Sequence, residues 1–360
     1  MAMGKIFKTI AINPGSTSTK LAYFENTQCI SEQVLRHTQE EIDRYTDIIE
    51  QYAFRKEAIM AYLAQQKIEI ESLDAVIARG GILKPLHGGA YIVSEEMVSD
   101  LKAAKYGQHA SNLGAIIANE IAAQISKPAY IVDPVVVDEM HDMARFSGIP
   151  DISRISAFHA LNQKAVARKI AHSLDKPYEQ VNLIIAHLGG GISVAAHQAA
   201  KVIDVNNALE EGPFSPERTG GVPAMQLIEI CYSGKYTKQE IKKKLVGKGG
   251  LNAYLGTGDV REIARNIDKG DAYAKKVLQA MAYQIAKEIG SCSAVLYGQV
   301  DAICLTGGIA YSRRIVKWIE DRVSFIAPVK VYPGEDEMMA MVFGVYKVLT
   351  GKERAYTYES

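Results

Sequence analysis

The sequence predicts an α/β protein made of two related halves. Three observations carry that expectation. A length of 360 residues is about two domains' worth of chain. Short β-rich apolar runs ending in glycine turns recur in the same order in both halves, and segments of helical periodicity separate them. The bulk composition agrees, since 48% hydrophobic and 23% charged residues are near globular averages. With 41 basic and 41 acidic residues, nothing favours nucleic acid or an anionic membrane as the main partner. The start, MAMGKIFK, is basic but leads into a strand pattern rather than a secretory signal. No apolar run is long enough to span a bilayer, and Cys29, Cys231, Cys292 and Cys304 show neither CxxC nor zinc spacing. A cytoplasmic protein with reduced thiols is expected.

The first element is FKTIAINPGSTSTKLAYFE, read as a strand, a polar turn after Asn13, and a second strand. GSTSTK is not a P-loop: it lacks the second glycine before Lys20, and LAYFE continues as strand rather than helix. The turn amides and the hydroxyls of Ser16, Thr17, Ser18 and Thr19 could hold an anion, or could satisfy their own backbone. Residues 39–66 have helical periodicity, and LDAVIARGGI (73–82) is a buried strand ending at Arg79 and the pair Gly80 and Gly81. Residues 110–125 are helical, and AYIVDPVV is a strand through Asp133 and Pro134. DEMHDM (138–143) has a metal-site composition without ligand spacing and reads as a solvated helix face. A helix over 159–174 begins at His159.

The second half repeats the pattern. VNLIIAHLGGGISVAAHQ echoes the opening, with His187 where Asn13 stood, and VDAICLTGGI echoes LDAVIARGGI. The two echoes lie further apart than their counterparts, which implies an inserted helical region over 223–290. A helix over 271–297, a strand in PVKVYPG, and a final helix in EDEMMAMVFGVYKVLTGK complete the series, the last with acids at its start. Three glycine-bearing turns suit phosphates because backbone can approach closely there. Arg79 and Arg218 each precede a glycine pair, where a planar guanidinium could grip carboxylate or phosphate, or simply sit in a surface loop. Asp133 could be linked to magnesium or cap a turn. His109, His159 and His187 lie near element ends and, taken singly, read as structural.

The ordered series INPGSTSTK, ARGG with LHGG, HASNLGA, VDPVVVDEM, AFHALNQKAVAR, AHLGGGISVAAH, GPFSPERTGG, GTGDVREI, LTGGIA and YPGEDEM spans almost the whole chain. In this the sequence resembles the acetate and butyrate kinases of the sugar kinase, heat-shock chaperone and actin superfamily. The resemblance implies two duplicated βββαβαβα actin-like (ribonuclease H-like) domains with a cleft between them. Their expected spans are 1–155 with 338–360, and 156–337 carrying the insertion and the adenosine site. It also implies reversible, in-line phosphoryl transfer from ATP to a short-chain carboxylate, giving ADP and an acyl phosphate, with Mg2+ and as a homodimer or larger assembly.

Carried over by position, Asn13, Ser16, Ser18 and Lys20 form a first phosphate hairpin, with Asn13 near the transferred group. Arg79 and Arg218 flank the carboxylate and γ-phosphoryl group, with His159 beside them, His109 and His187 in the same cleft, and Gly80 and Gly81 at the acid. Gly189, Gly190 and Gly191 approach the phosphates. Asp259, Val260, Arg261, Gly307, Gly308 and Ile309 border the adenosine. Asp133 and Glu337 hold magnesium directly or through water, with Glu335 the alternative in register. Departures from the acetate kinases are Gly190 for an asparagine, Gly80 and Gly81 for a valine pair, and Gln163 for a second histidine. They favour butyrate or isobutyrate over acetate if lost bulk leaves room for methylenes, each contributing ~0.8 kcal/mol. The competing expectations are an acetate or propionate kinase, a sugar kinase with an aspartate base, and a non-catalytic ATP-binding regulator or chaperone.

Overall fold

The computed structural model describes residues 5–359; the first four residues of MAMGKIFK and Ser360 lie outside them. Packing divides the chain into two units, one running to Val137 and resuming at Asp336, the other Asp138–Glu335.

The first unit holds a sheet of β1 (Lys8–Pro14), β2 (Ser18–Glu25), β3 (Gln28–Arg36), β4 (Ala75–Ala78), β5 (Ala90–Ile92) and β6 (Ala129–Val132). Their order is β3-β2-β1-β4-β6-β5. β1–β2 and β2–β3 are antiparallel hairpins, β4 joins β1 and β6 in parallel, and β5 closes the edge antiparallel. The central strands β4 and β6 are buried along their length because helices cover both faces. Asn112–Gln124 lays Leu113, Ile117 and Ile121 on one face, and Glu337–Leu349 lies against the sheet with Met338, Met341 and Val345 buried.

The second unit repeats the plan with β7 (Leu183–Leu188), β8 (Ile192–Gln198), β9 (Lys201–Val205), β10 (Ala302–Gly307) and β11 (Val329–Pro333). Read from its far edge, β9-β8-β7-β10-β11 matches β3-β2-β1-β4-β6 in both order and direction. The two sequence echoes therefore coincide with equivalent strands, β1 with β7 and β4 with β10. Between β9 and β10 stand the inserted helices Ala224–Tyr232, Lys238–Leu245, Gly250–Leu255, Val260–Asp268 and Ala272–Val295, where the unequal spacing placed extra chain.

Some elements differ from their sequence expectation. The helix expected over 39–66 is broken into Gln39–Ile42, a 3-10 turn Ile48–Gln51 and Tyr52–Gln65. The Glu50 carboxylate causes the break by accepting the Thr46 and Asp47 amides at 2.8 and 3.2 Å, which starts a new helix. β6 stops at Val132, since Asp133 turns to φ 39° and Pro134 has no amide to donate. DEMHDM is not a solvated helix face. Asp138 pairs with Arg145 at 2.7 Å, and Glu139 pairs with Lys164 at 2.8 Å with both side chains buried. The basic partner of Glu139 lies on another element, out of reach of local pattern. Residues 138–155, placed with the first half by sequence, pack with the second unit, where Arg154 holds Asp204 and Glu211, each at 3.1 Å.

Candidate functional site

In the first unit the opening hairpin sets Asn13 opposite Lys20, and the Gly15 amide donates to the Ser18 carbonyl at 2.8 Å. Under the turn lies Arg55, from the helix Tyr52–Gln65, with no exposed surface. Its Nη1 donates to the carbonyls of Gly15 (2.9 Å) and Ser18 (3.1 Å), and its Nη2 to that of Ser16 (3.0 Å). The Thr17 carbonyl accepts from the His37 amide at 2.9 Å. All four turn carbonyls are thus bound on the protein side. Holding all four carbonyls in this way fixes the shape of the turn. Gln51 in turn holds Arg55 through Nε and Nη2 at 3.0 and 2.9 Å. Nothing in local sequence marks Arg55, whose acceptors in the turn lie some forty residues earlier. Lys20 is ion-paired to Glu32 of β3 at 3.0 Å, so its charge is shared with the neighbouring strand.

Arg79 leaves the end of β4 and its Nη1 meets both oxygens of Glu337, at 2.8 and 3.0 Å. Asn13 Nδ2 donates to the same carboxylate at 2.6 Å. The ends of β1 and β4 and the first turn of the last helix therefore converge, as parallel strands with equal register allow. His109 bonds Ser111 at 2.8 Å; burial and then the Arg79 charge lower its pKa, favouring neutral imidazole. Asp133 is buried, and its Oδ1 accepts the Gly89 amide at 2.7 Å. Gly80 and Gly81 are closely packed. A Cβ at Gly80 would lie 2.6 Å from Pro134, and one at Gly81 2.5 Å from Asn112. The space of the missing side chains is filled, so these glycines do not open room for methylenes.

In the second unit Gly189, Gly190 and Gly191 form the turn between β7 and β8, closed by the Gly189 amide on the Gly191 carbonyl at 3.1 Å. Arg218 lies against this turn: a Cβ on Gly191 would come within 2.0 Å of its Nη1. That Nη1 donates to the Ala208 carbonyl at 2.8 Å, and Ser215 Oγ accepts the Arg218 amide at 3.1 Å while donating to the Gly190 carbonyl at 2.6 Å. The loop carrying Arg218 is therefore tied to the glycine turn. Gly189, Gly190, Asp259, Val260, Arg261, Gly308 and Ile309 all line one cavity of about 1070 Å³, within the size range of small-molecule sites or slightly above it. Asp259 caps the helix Val260–Asp268 by accepting the Arg261 amide at 2.9 Å, and also pairs with the Arg261 guanidinium at 3.2 Å. Gly307 stands behind that wall. Its φ of 84° and the Leu188 backbone, 2.5 Å from any added Cβ, require glycine there.

His159 and His187 stack with ring centroids 3.7 Å apart and planes 9° from parallel. His187 Nδ1 donates to Asn162 Oδ1 at 2.8 Å, and its Nε2 lies 3.0 Å from Glu335. His159 Nδ1 lies 2.9 Å from Ser193 Oγ. The two acids left open by the sequence register thus have separate partners: Glu335 faces His187, and Glu337 faces Arg79 and Asn13. Asn162 and Ser193 were not singled out in the sequence; the spacing of Asn162 from His159 within one helical turn was the only available signal.

Among the described residues, no group of three or more acid, histidine or cysteine side chains is arranged to hold a metal ion. Magnesium commonly needs only one or two carboxylates beside substrate phosphates, so the hard oxygens of Asp133 and Glu337 fit its chemistry. No helix of the described residues is long and apolar enough to cross a membrane.

A family profile described as the acetokinase family matches residues 151–327. The chain is 54% identical over 354 residues to butyrate kinase 2 of Clostridium acetobutylicum, covering 98% of this chain and 99% of that protein. It is 53% identical over 355 residues to butyrate kinase 1 of the same organism, covering 98% and 100%. Among solved structures, Porphyromonas gingivalis acetate kinase superposes with a TM-score of 0.78 at 19% identity, covering 96% of this chain and all of that one. A propionate kinase from Francisella tularensis gives 0.72 at 20%, covering 94% and 98%. These structural matches establish the fold of two actin-like domains.

Proposed function

The chain belongs to the acetokinase family, a family of ATP-dependent carboxylate kinases, and from that premise we propose that its acceptor is butyrate or isobutyrate. The products are ADP and an acyl phosphate. The observation that carries this reading is the identity above one half, over nearly the full length, with two proteins named butyrate kinase. The filled space at Gly80 and Gly81 removes one argument for a longer acid, which makes acetate and propionate necessary arms of the test.

A carboxylate is already ionised near neutral pH and needs no general base. The barrier is repulsion between that anion and the triphosphate, which fixed cations and donors relieve. Arg79, positioned by Glu337, grips the acid; Arg218, seated on Gly191, stabilises charge on the transferred phosphoryl group; His159 donates to it. The Gly15–Ser18 turn and the Gly189–Gly191 turn hold phosphate oxygens, and the cavity bordered by Asp259 and Ile309 takes the adenosine. Asp133 and, through water, Glu337 would hold Mg2+, which neutralises phosphate charge when bound. A homo-oligomeric assembly in the cytoplasm completes this reading.

The test is ADP formation with acetate, propionate, butyrate, isobutyrate and glucose. Turnover is expected to be highest with a four-carbon acid and absent with glucose. Faster turnover of acetate overturns the choice of acid. Arg79→Ala and Arg218→Ala should each lower kcat by roughly two orders of magnitude or more, and near-normal turnover in both would remove their roles.

A further inference from the structure

We propose that Gln163 is a positioning residue that fixes the ring proton of His159 on Nε2. Gln163 lies one turn into the helix Ala160–Ser173, on the same face as His159, and has no exposed surface. Its Nε2 is 3.1 Å from the Ser193 carbonyl oxygen and 2.9 Å from Ser193 Oγ. A carbonyl can only accept, so the amide NH2 of Gln163 must face Ser193. Its Oε1 then faces His197 Nε2 at 3.0 Å, which must carry that ring's proton. His197 Nδ1 accepts from the Tyr178 hydroxyl at 2.7 Å. Burial, followed by the charges of Lys164 and Arg168, lowers the His197 pKa to about 3, so this end of the chain holds neutral imidazole.

At the other end, Ser193 Oγ accepts from Gln163, and in the proposed relay it gives its own proton to His159 Nδ1, 2.9 Å away. An Nδ1 that accepts leaves the ring proton of neutral imidazole on Nε2. The donors run in one direction, Tyr178 to His197 to Gln163 to Ser193 to His159, so each bond polarises the next. The stack on His187, itself tied to Asn162, holds the ring plane. An imidazole at position 163 would present one N–H to Ser193 and could not serve both its carbonyl and its hydroxyl; the glutamine amide serves both. The relay rests on the reading of His159 as donor to the phosphoryl group, and it specifies the nitrogen that donates.

The experiment uses the full chain labelled with 15N-histidine. Nitrogen shifts of the imidazoles report tautomers directly, and His159→Asn assigns the signal. Wild-type protein should show His159 as the Nε2–H tautomer. In Gln163→Met and Ser193→Ala the same ring should become a mixture of tautomers, with kcat down roughly tenfold or more and both KM values within about twofold. Ser193→Thr, which keeps the hydroxyl, should restore the tautomer and most of kcat. An Nδ1–H ring in wild type, or an unchanged tautomer in Gln163→Met, overturns the proposal; if Gln163→Met does not fold, the conservative Gln163→Glu, read in the same way, decides it. Full activity of His159→Ala would instead remove the phosphoryl-donor reading while leaving the tautomer assignment standing.

Discussion

Gly191 has a close neighbour that its local sequence does not reveal. HLGGG suggests three glycines approaching a ligand, and Gly189 and Gly190 line a cavity of about 1070 Å³. Gly191 makes room for a side chain, because an added Cβ would overlap Arg218 Nη1 at 2.0 Å. Gly191→Ala should therefore push the guanidinium off the Ala208 carbonyl and lower kcat roughly tenfold to a hundredfold, with the melting temperature changed by only a few degrees. Steady-state kinetics beside a thermal melt checks this; unchanged kcat would mean that Arg218 is held by its loop alone. Glycine signals were legible because few residues tolerate such approaches. Arg55 was illegible for the opposite reason, since a buried arginine is defined by acceptors distant in sequence.

At the level of elements, β8 places two chemically different side chains from one alternating strand. Ser193 reaches toward His159, while His197 is sealed against Tyr178 and Gln163. The strand itself was evident from apolar alternation, but its polar partners depend on tertiary packing that periodicity does not encode. The sealed histidine has a consequence for acid stability. Its folded pKa, about 3, lies below the ordinary histidine value of 6.5 in the unfolded chain. Above pH 6.5 neither state is protonated and the full stability is present; as pH falls below 6.5 the unfolded chain takes up a proton that the native state refuses. Stability should then decline by up to about 1.4 kcal/mol per pH unit from this one group. His37 and His109, whose pKa values burial also lowers, act in the same sense, and Glu288, whose pKa burial raises, acts in the opposite one. Urea unfolding between pH 7.5 and 5 should show the decline, with a shallower slope in His197→Gln. Equal slopes in the two proteins would exclude His197 as its source.

Across the whole molecule, one strand plan is used twice with different chemistry at matching ends. β1 and β4 end next to Asn13 and Arg79, whereas β7 and β10 end beside the glycines that line the cavity of the second unit. The duplication was legible because equivalent strands kept their glycine turns, and the insertion was legible as unequal spacing. The chain leaves the first unit at Val137, builds the second, and returns at Asp336. Its closing helix then buries Met338, Met341, Val342 and Val345, each at most 1% exposed. At about 1.5–3 kcal/mol for each large apolar side chain, these four contribute on the order of 6–12 kcal/mol. A typical domain has only about 5–15 kcal/mol of net stability. The first unit is therefore expected to lose its native state when this last segment is absent. A chain ending at Gly334 should lose hydrogen-exchange protection throughout β1, β4 and β6 while β7, β8 and β10, whose covering helices Ala160–Ser173 and Ala272–Val295 remain, keep theirs. Retained protection in β1 and β4 of that truncated chain would show that the sheet is stable without its closing helix, and that Glu337 is there to position Arg79 alone.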